Sequence, residues 1–201
     1  MLRMTDVVRH LLIINLIVFV FTALIFPDLL RVLALYYPQS PYFQPFQLVT
    51  HFFTHANLGH IFFNMFGLVM FGSPIEALWG GRRFLFYYLF CALGAAITQL
   101  LMMYFQIEST NGLMVGASGA IYGLLVAFGA KFPNAELMLI FLPIPIKAKY
   151  FIPGLIVLDL FLGISNFSAD PVAHFAHLGG AFFGFLLILL WQNKDSDFRV
   201  N

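Results

Sequence analysis

Long apolar stretches, separated by short clusters of charge, proline and glycine, set the rhythm of this chain. Crossing roughly 30 Å of hydrocarbon takes about 20 mostly apolar residues, with some tolerance for tilt and thinning. Six stretches meet that requirement and predict membrane helices near residues 9–26, 58–78, 84–105, 113–130, 150–164 and 172–191. The run 137–146 is also apolar, but it is short and broken by Pro143 and Pro145, so it reads as an interfacial loop. Between the first two helices lies a 31-residue connection, 27–57, carrying Tyr36, Tyr37, Tyr42, Phe43, Phe46, Phe52 and Phe53. A loop of that length needs order of its own, and its aromatic rings suit a position at the headgroup level.

Composition agrees with this pattern. Of 201 residues, 61% are hydrophobic and 9% charged, which predicts an all-α, multi-pass membrane protein. No soluble domain, repeat or low-complexity tract interrupts the chain, so residues 1–201 read as a single domain. The net charge of +1 gives no reason to expect a nucleic-acid partner. Where the basic residues fall is more informative. Nine of the ten flank one set of helix ends (Arg3, Arg9, Arg82, Arg83, Lys131, Lys147, Lys149, Lys194 and Arg199), and Arg31 alone lies opposite. By the positive-inside rule both termini are expected in the cytoplasm, with loops 1, 3 and 5 facing outward. The first segment lacks a small-x-small site before Pro27 and reads as a retained anchor. Cys91 is the sole cysteine, so no internal disulfide is possible.

Polar side chains inside hydrocarbon are costly, so each needs a partner or a task. Under the orientation above, helices 2, 4 and 6 start at the same face, and position converts to depth at about 1.5 Å per residue. Ser118 is five residues past Leu113 and His177 five past Val172, each about 7 to 8 Å deep, with Asn64 near 9 Å and His60 one turn above it. Gly112, Gly116, Gly119 and Gly123 surround Ser118, while His177, Gly180 and Gly184 share one face of helix 6. Small residues at this spacing let membrane helices approach closely. Plain packing would explain Gly116-Ala117-Ser118-Gly119 by itself; the depth-matched imidazole turns the reading toward a nucleophile and its general base. Asn64, His60 and the Ser118 N–H are candidates to bind an oxyanion. Asp159 lies on helix 5 and Glu76 near the far end of helix 2, so the expected arrangement is a Ser-His dyad without a carboxylate, and Asp159 and His174 have no assigned role.

These residues resemble the rhomboid intramembrane serine proteases over about 46–191. The resemblance rests on His51-Phe52-Phe53-Thr54-His55, His60-Ile61-Phe62-Phe63-Asn64-Met65, Gly72-Ser73-Pro74-Ile75-Glu76, Gly116-Ala117-Ser118-Gly119 with Tyr122 one turn on, and Ala176-His177-Leu178-Gly179-Gly180. It implies a six-helix bundle with Ser118 as nucleophile, His177 as base, His60 and Asn64 at the oxyanion hole and Tyr122 packed on the imidazole. It also implies that loop 1 is a membrane-embedded hairpin, and that helix 5 and loop 5 are gate and cap. Many relatives carry Trp-Arg in loop 1 where this chain has Phe46-Gln47, a departure that bears on loop anchoring. The minimal six-helix form implies a bacterial cytoplasmic membrane.

The expected activity is that of a serine endopeptidase cutting transmembrane segments of other membrane proteins near the extracytoplasmic face, with no cofactor and no metal. Helical peptide bonds are shielded in lipid, so a few substrate residues must unwind, and a small side chain before the scissile bond is expected. His51, His55, His60 and Asn64 are expected to line a hydrated crevice. The alternative is a catalytically inactive, rhomboid-like binder of client transmembrane helices. A metal or haem protein fits less well, lacking His-Glu-x-x-His, and a transporter less still, lacking an inverted repeat. Oligomeric state is not legible.

Overall fold

The computed structural model describes residues 4–105, 107, 109–139, 142–165 and 173–192. Helix α1 (Asp6–Val20) runs on through a π-helical turn, Phe21–Ile25, as one 20-residue apolar span. Loop 1 contains the short helices α2 (Leu29–Leu33) and α3 (Gln47–Thr50), the latter continued by a 3-10 turn at His51–Phe53. Helix α4 (Leu58–Gly67) passes through a second π turn, Leu68–Gly72, into α5 (Ser73–Trp79), and together they form a 22-residue span. Helices α6 (Gly81–Tyr104), α7 (Ser118–Lys131), α8 (Ala148–Ser165) and α9 (His174–Gln192) complete the bundle. Among the described residues five helical spans are long and apolar enough to cross a membrane, and α7, at 14 residues, is a shorter apolar helix. This is an all-α membrane bundle of the class the hydropathy pattern predicts.

Two local features differ from the sequence reading. The fourth predicted helix, 113–130, begins only at Ser118. Met114 is held in extended backbone by reciprocal 2.9 Å hydrogen bonds with Leu35, and Gly116 has φ of 115°, which no helix accommodates. The apolar run 137–146 is a β-hairpin: β1 (Glu136–Leu139) pairs antiparallel with β2 (Leu142–Lys147), Glu136 opposite Lys147. Pro143 and Pro145 fall where the register of β2 shifts against β1, an irregular stretch of ribbon in which a missing N–H is tolerated. Loop 5, the expected cap, lies outside the described residues, as does Val172, the expected start of the last helix.

Glycine brings α7 and α9 into backbone contact, as the small-residue spacing predicts. A Cβ on Gly180 would stand 1.9 Å from the carbonyl oxygen of Gly119. Beside this contact the fully buried Tyr87 of α6 donates its hydroxyl to the Gly123 carbonyl at 2.8 Å, tying α6 to α7. Cys91 packs into the same core.

Two further polar ties hold the periphery. Glu76 of α5 accepts from the Val7 and Val8 N–H groups at 2.9 Å each and from the Thr5 hydroxyl, so a carboxylate from another helix satisfies the open first turn of α1. Gln47 is buried in loop 1; its Nε2 donates to the Val32 and Tyr42 carbonyls and its Oε1 accepts from the Gln44 N–H, each at 3.0 Å. A neutral amide thus anchors loop 1 by joining three of its backbone segments. Glu76→Ala should lower stability by about 1–3 kcal/mol, because buried donors lose their acceptor. Gln47→Leu should do the same, because it orphans two carbonyls and an N–H. Thermal unfolding in detergent measures both, and transitions indistinguishable from wild type would show that these ties carry no weight.

Candidate active site

Loop 1 presents the residue that opens α7. The Gly116 N–H donates to the His51 carbonyl at 2.9 Å, two residues after the Met114–Leu35 bridge, so the chain reaches Ser118 pinned at two places. Gly116 is the one residue type that suits its position. Its φ lies in the left-handed region, and an added Cβ would fall 2.5 Å from His60 Nε2. Ser118 is the first residue of α7, and its expected place five residues into a helix is corrected: the residues before it are not helical, Met114 being bridged to Leu35 and Gly116 having a positive φ.

The Ser118 Oγ lies 2.8 Å from His177 Nε2. His177 is in the first turn of α9, and the Tyr122 ring stacks on its imidazole with centroids 4.3 Å apart and planes 13° from parallel. The other imidazole nitrogen, Nδ1, is 3.0 Å from Asp159 Oδ2, and Asp159 Oδ1 is 2.6 Å from His174 Nδ1. The expectation of a dyad without a carboxylate is therefore corrected: the site holds Ser118, His177 and Asp159 in one hydrogen-bonded line, with His174 on the far oxygen. An ionised carboxylate only accepts, so Nδ1 of His177 carries the proton and Nε2 presents its lone pair to the Ser118 hydroxyl. Asp159 was legible by counting from the other end of its helix. It stands five residues before Ile164, about 7.5 Å from the end of the predicted span. It is also one of only three buried residues on α8, with Ala148 and Ile152.

A cavity of about 560 Å³ opens beside Ser118 and His177, with His60, Asn64, Gly116 and His51 among its lining residues. The Ala56 N–H approaches His60 Nδ1 at 3.4 Å as donor, which puts the His60 proton on Nε2. The Asn64 amide donates one N–H to the His60 carbonyl at 2.8 Å and has a second to offer. His55 does not line the cavity; it packs behind, against the His60 ring at 5.1 Å between centroids. His51 donates from Nδ1 to the Gln47 carbonyl at 2.6 Å. Both are buried histidines of loop 1; His51 still borders the cavity, as expected, and His55 alone of the four residues expected to line it does not. Burial holds His51 down at about 4, against the opposing pull of that carbonyl. Burial, and then the neighbouring His60, hold His55 at about 3.

A family model for the Rhomboid domain matches residues 42–194. The presenilin-associated rhomboid-like protein, mitochondrial, of Bos taurus is 33% identical over 198 residues, covering 91% of this chain and 50% of that protein. The protein of the same name from Homo sapiens is 32% identical over 189 residues, covering 87% and 47%. Rhomboid-like protein 11, chloroplastic, of Arabidopsis thaliana is 31% identical over 157 residues, covering 75% and 54%. The chain thus spans about half the length of the curated relatives it matches. Their mitochondrial and chloroplastic names overturn the expected bacterial cytoplasmic membrane, and with it the cytoplasmic assignment of the termini; they point to an organellar membrane.

The two loop histidines give stability a pH dependence of definite sign. Unfolded, each takes a proton below about 6.5; folded, His51 does so only near 4 and His55 near 3. Stability fully present above pH 6.5 should therefore be lost progressively as pH falls from 6.5 toward 4 and then 3. Thermal midpoints in detergent across this range measure it. The His51→Gln, His55→Gln double variant should show a flatter slope, and an equally steep one would exclude these groups as the source.

Proposed function

The chain belongs to the rhomboid family, and from that premise we propose that it is an intramembrane serine endopeptidase acting on transmembrane segments of other proteins. The observation that carries the reading is the line of contacts from Ser118 Oγ through His177 to Asp159, 2.8 and 3.0 Å long. Ser118 attacks the scissile carbonyl as His177 Nε2 takes its proton. Asp159 keeps the proton on Nδ1 and stabilises the imidazolium that forms, while Tyr122 fixes the plane of the ring. His177 then gives its proton to the leaving amine, and water, activated by the same nitrogen, releases the acyl group.

The oxyanion forms at the N-terminus of α7, where backbone N–H groups have no partner within the helix and the dipole favours negative charge. The second N–H of Asn64 and the Nε2–H of His60 face the same cavity and complete the donor set. Gly116 makes that set possible by leaving space for His60. The role of His60 is thus an electrophilic one, and that of Asp159 is to position and stabilise the base.

The substrate is a membrane helix, because the site sits among spans and not on a soluble face. Cleavage requires a few of its residues to unwind, since hydrocarbon offers no replacement for broken helical hydrogen bonds. Substrates with Gly or Pro near the cut and a small residue before it should be preferred. In keeping with the names of its relatives, the working membrane is that of an organelle.

The test is incubation with a model transmembrane substrate followed by mass spectrometry of the fragments. Ser118→Ala and His177→Ala should abolish cleavage with thermal midpoints retained. Asp159→Asn should lower the rate by roughly 10²–10⁴, since an amide stabilises the wrong tautomer. Cleavage by folded Ser118→Ala protein would overturn the assignment, and unchanged turnover in Asp159→Asn would return the site to a dyad.

A further inference from the structure

The proposed hydrolysis uses one oxygen of Asp159; the other is occupied by His174, for which that chemistry has no need. Both imidazoles turn Nδ1 toward the carboxylate, at 2.6 and 3.0 Å, and the donor atoms of Asp159, His174 and His177 all lie within 4.8 Å of one another. Among the described residues this is the one group of three His, Cys, Asp or Glu side chains gathered so closely. The side chains are 6%, 8% and 12% exposed. We propose that Asp159, His174 and His177 form an inhibitory binding site for a divalent transition metal of the zinc type.

The donor set suits that ion. Two neutral imidazole nitrogens and one carboxylate oxygen are the ligands zinc takes at three-ligand sites, with water in the fourth position. A tetrahedral ion with bonds of about 2.0–2.2 Å needs its ligands roughly 3.3 Å apart. The 2.6 and 3.0 Å contacts run to different oxygens of Asp159, and one donor atom from each residue lies within 4.8 Å of the other two, so the three ligands would have to draw together around the ion. Helix α8 can follow them. It buries little besides Asp159 and turns Val157, Leu158, Phe161 and Ile164 outward, so small shifts disturb few contacts. Two neutral imidazoles and a carboxylate carry a net charge of −1, which a dication opposes in a setting of low dielectric.

Inhibition follows from tautomers. In the resting site the His177 proton is on Nδ1 and the lone pair of Nε2 faces Ser118. A metal can bind Nδ1 only through its lone pair, so the proton must move to Nε2. The nitrogen that accepted the Ser118 proton then carries one of its own, and the base is lost without any contact to serine. Metal binding also takes Asp159 away from its hydrogen bond to the imidazole. This inhibitory consequence rests on the role proposed above for His177; the binding does not.

The experiment uses the full chain in detergent. Zinc chloride is titrated by calorimetry into Ser118→Ala protein, where catalysis plays no part. One ion per chain at micromolar affinity or tighter is expected, weakened at least tenfold in the added His174→Gln and Asp159→Asn variants. In wild type, zinc at the binding concentration should stop cleavage of the transmembrane substrate and a chelator should restore it. In His174→Gln the zinc needed for half-inhibition, taken against that variant's own metal-free rate, should rise at least tenfold. No binding, or binding kept in both ligand variants but lost in His51→Gln, His55→Gln, would overturn the site. Binding without loss of cleavage would overturn its inhibitory role. Wild type that cleaves nothing, yet binds zinc through these residues, would sink the peptidase reading and leave the site standing.

Discussion

The carbonyl of Gly119 occupies the space that a methyl group on Gly180 would need, and this backbone contact between α7 and α9 sets everything at the site. Lipid gives apolar helices no reason to prefer one another over the bilayer, so close approach must come from shape. Glycine supplies the shape. Once the two helices touch, Ser118 at the head of one and His177 in the first turn of the other meet at 2.8 Å. The orientation of the pair is then fixed by neighbours from two other directions: Tyr122 stacked on the ring and Asp159 on its far nitrogen.

Three polar side chains elsewhere obey the same economy, each joining separate stretches of backbone. Glu76 closes the first turn of α1 from across the bundle, Gln47 gathers three stretches of loop 1, and Tyr87 ties α6 to α7. Hydrocarbon makes an unpaired buried group expensive, so these links are directional where packing is not. Loop 1 is part of the machinery for that reason. Through His51 and Leu35 it holds the extended strand that delivers Ser118, and its buried, uncharged histidines connect that hold to pH.

Much of this could be read from the chain itself. Hydropathy located the spans, because each must be about as long as the bilayer is thick, and glycine spacing showed which faces meet. Ser118, His177, His60, Asn64, Gly116 and Tyr122 were all nominated, and the structure gathers them around one cavity or one ring. The start of α7 was missed because Leu113, Met114 and Val115 are as apolar as a helix, while their conformation is decided by a pairing with Leu35 nearly eighty positions earlier. The hairpin at β1 and β2 was missed because prolines mark where a helix cannot be, not where a strand can. Asp159 was legible and was overlooked: α8 runs opposite to α7 and α9, so its depth has to be counted from its end. The membrane itself was misjudged, since span number and charge bias are the same physics in any bilayer; relatives, not residues, carried that correction.

The central claim is that the Ser118 hydroxyl is activated by the imidazole beside it, which a covalent probe reports without any substrate. Purified wild-type protein and His177→Ala, both checked for folding, would be treated with a fluorophosphonate and digested, and the modified residue located by mass spectrometry. The account predicts a single adduct on Ser118 in wild type and none in His177→Ala. An unmodified Ser118 in folded wild-type protein, or equal modification in both proteins, would contradict it.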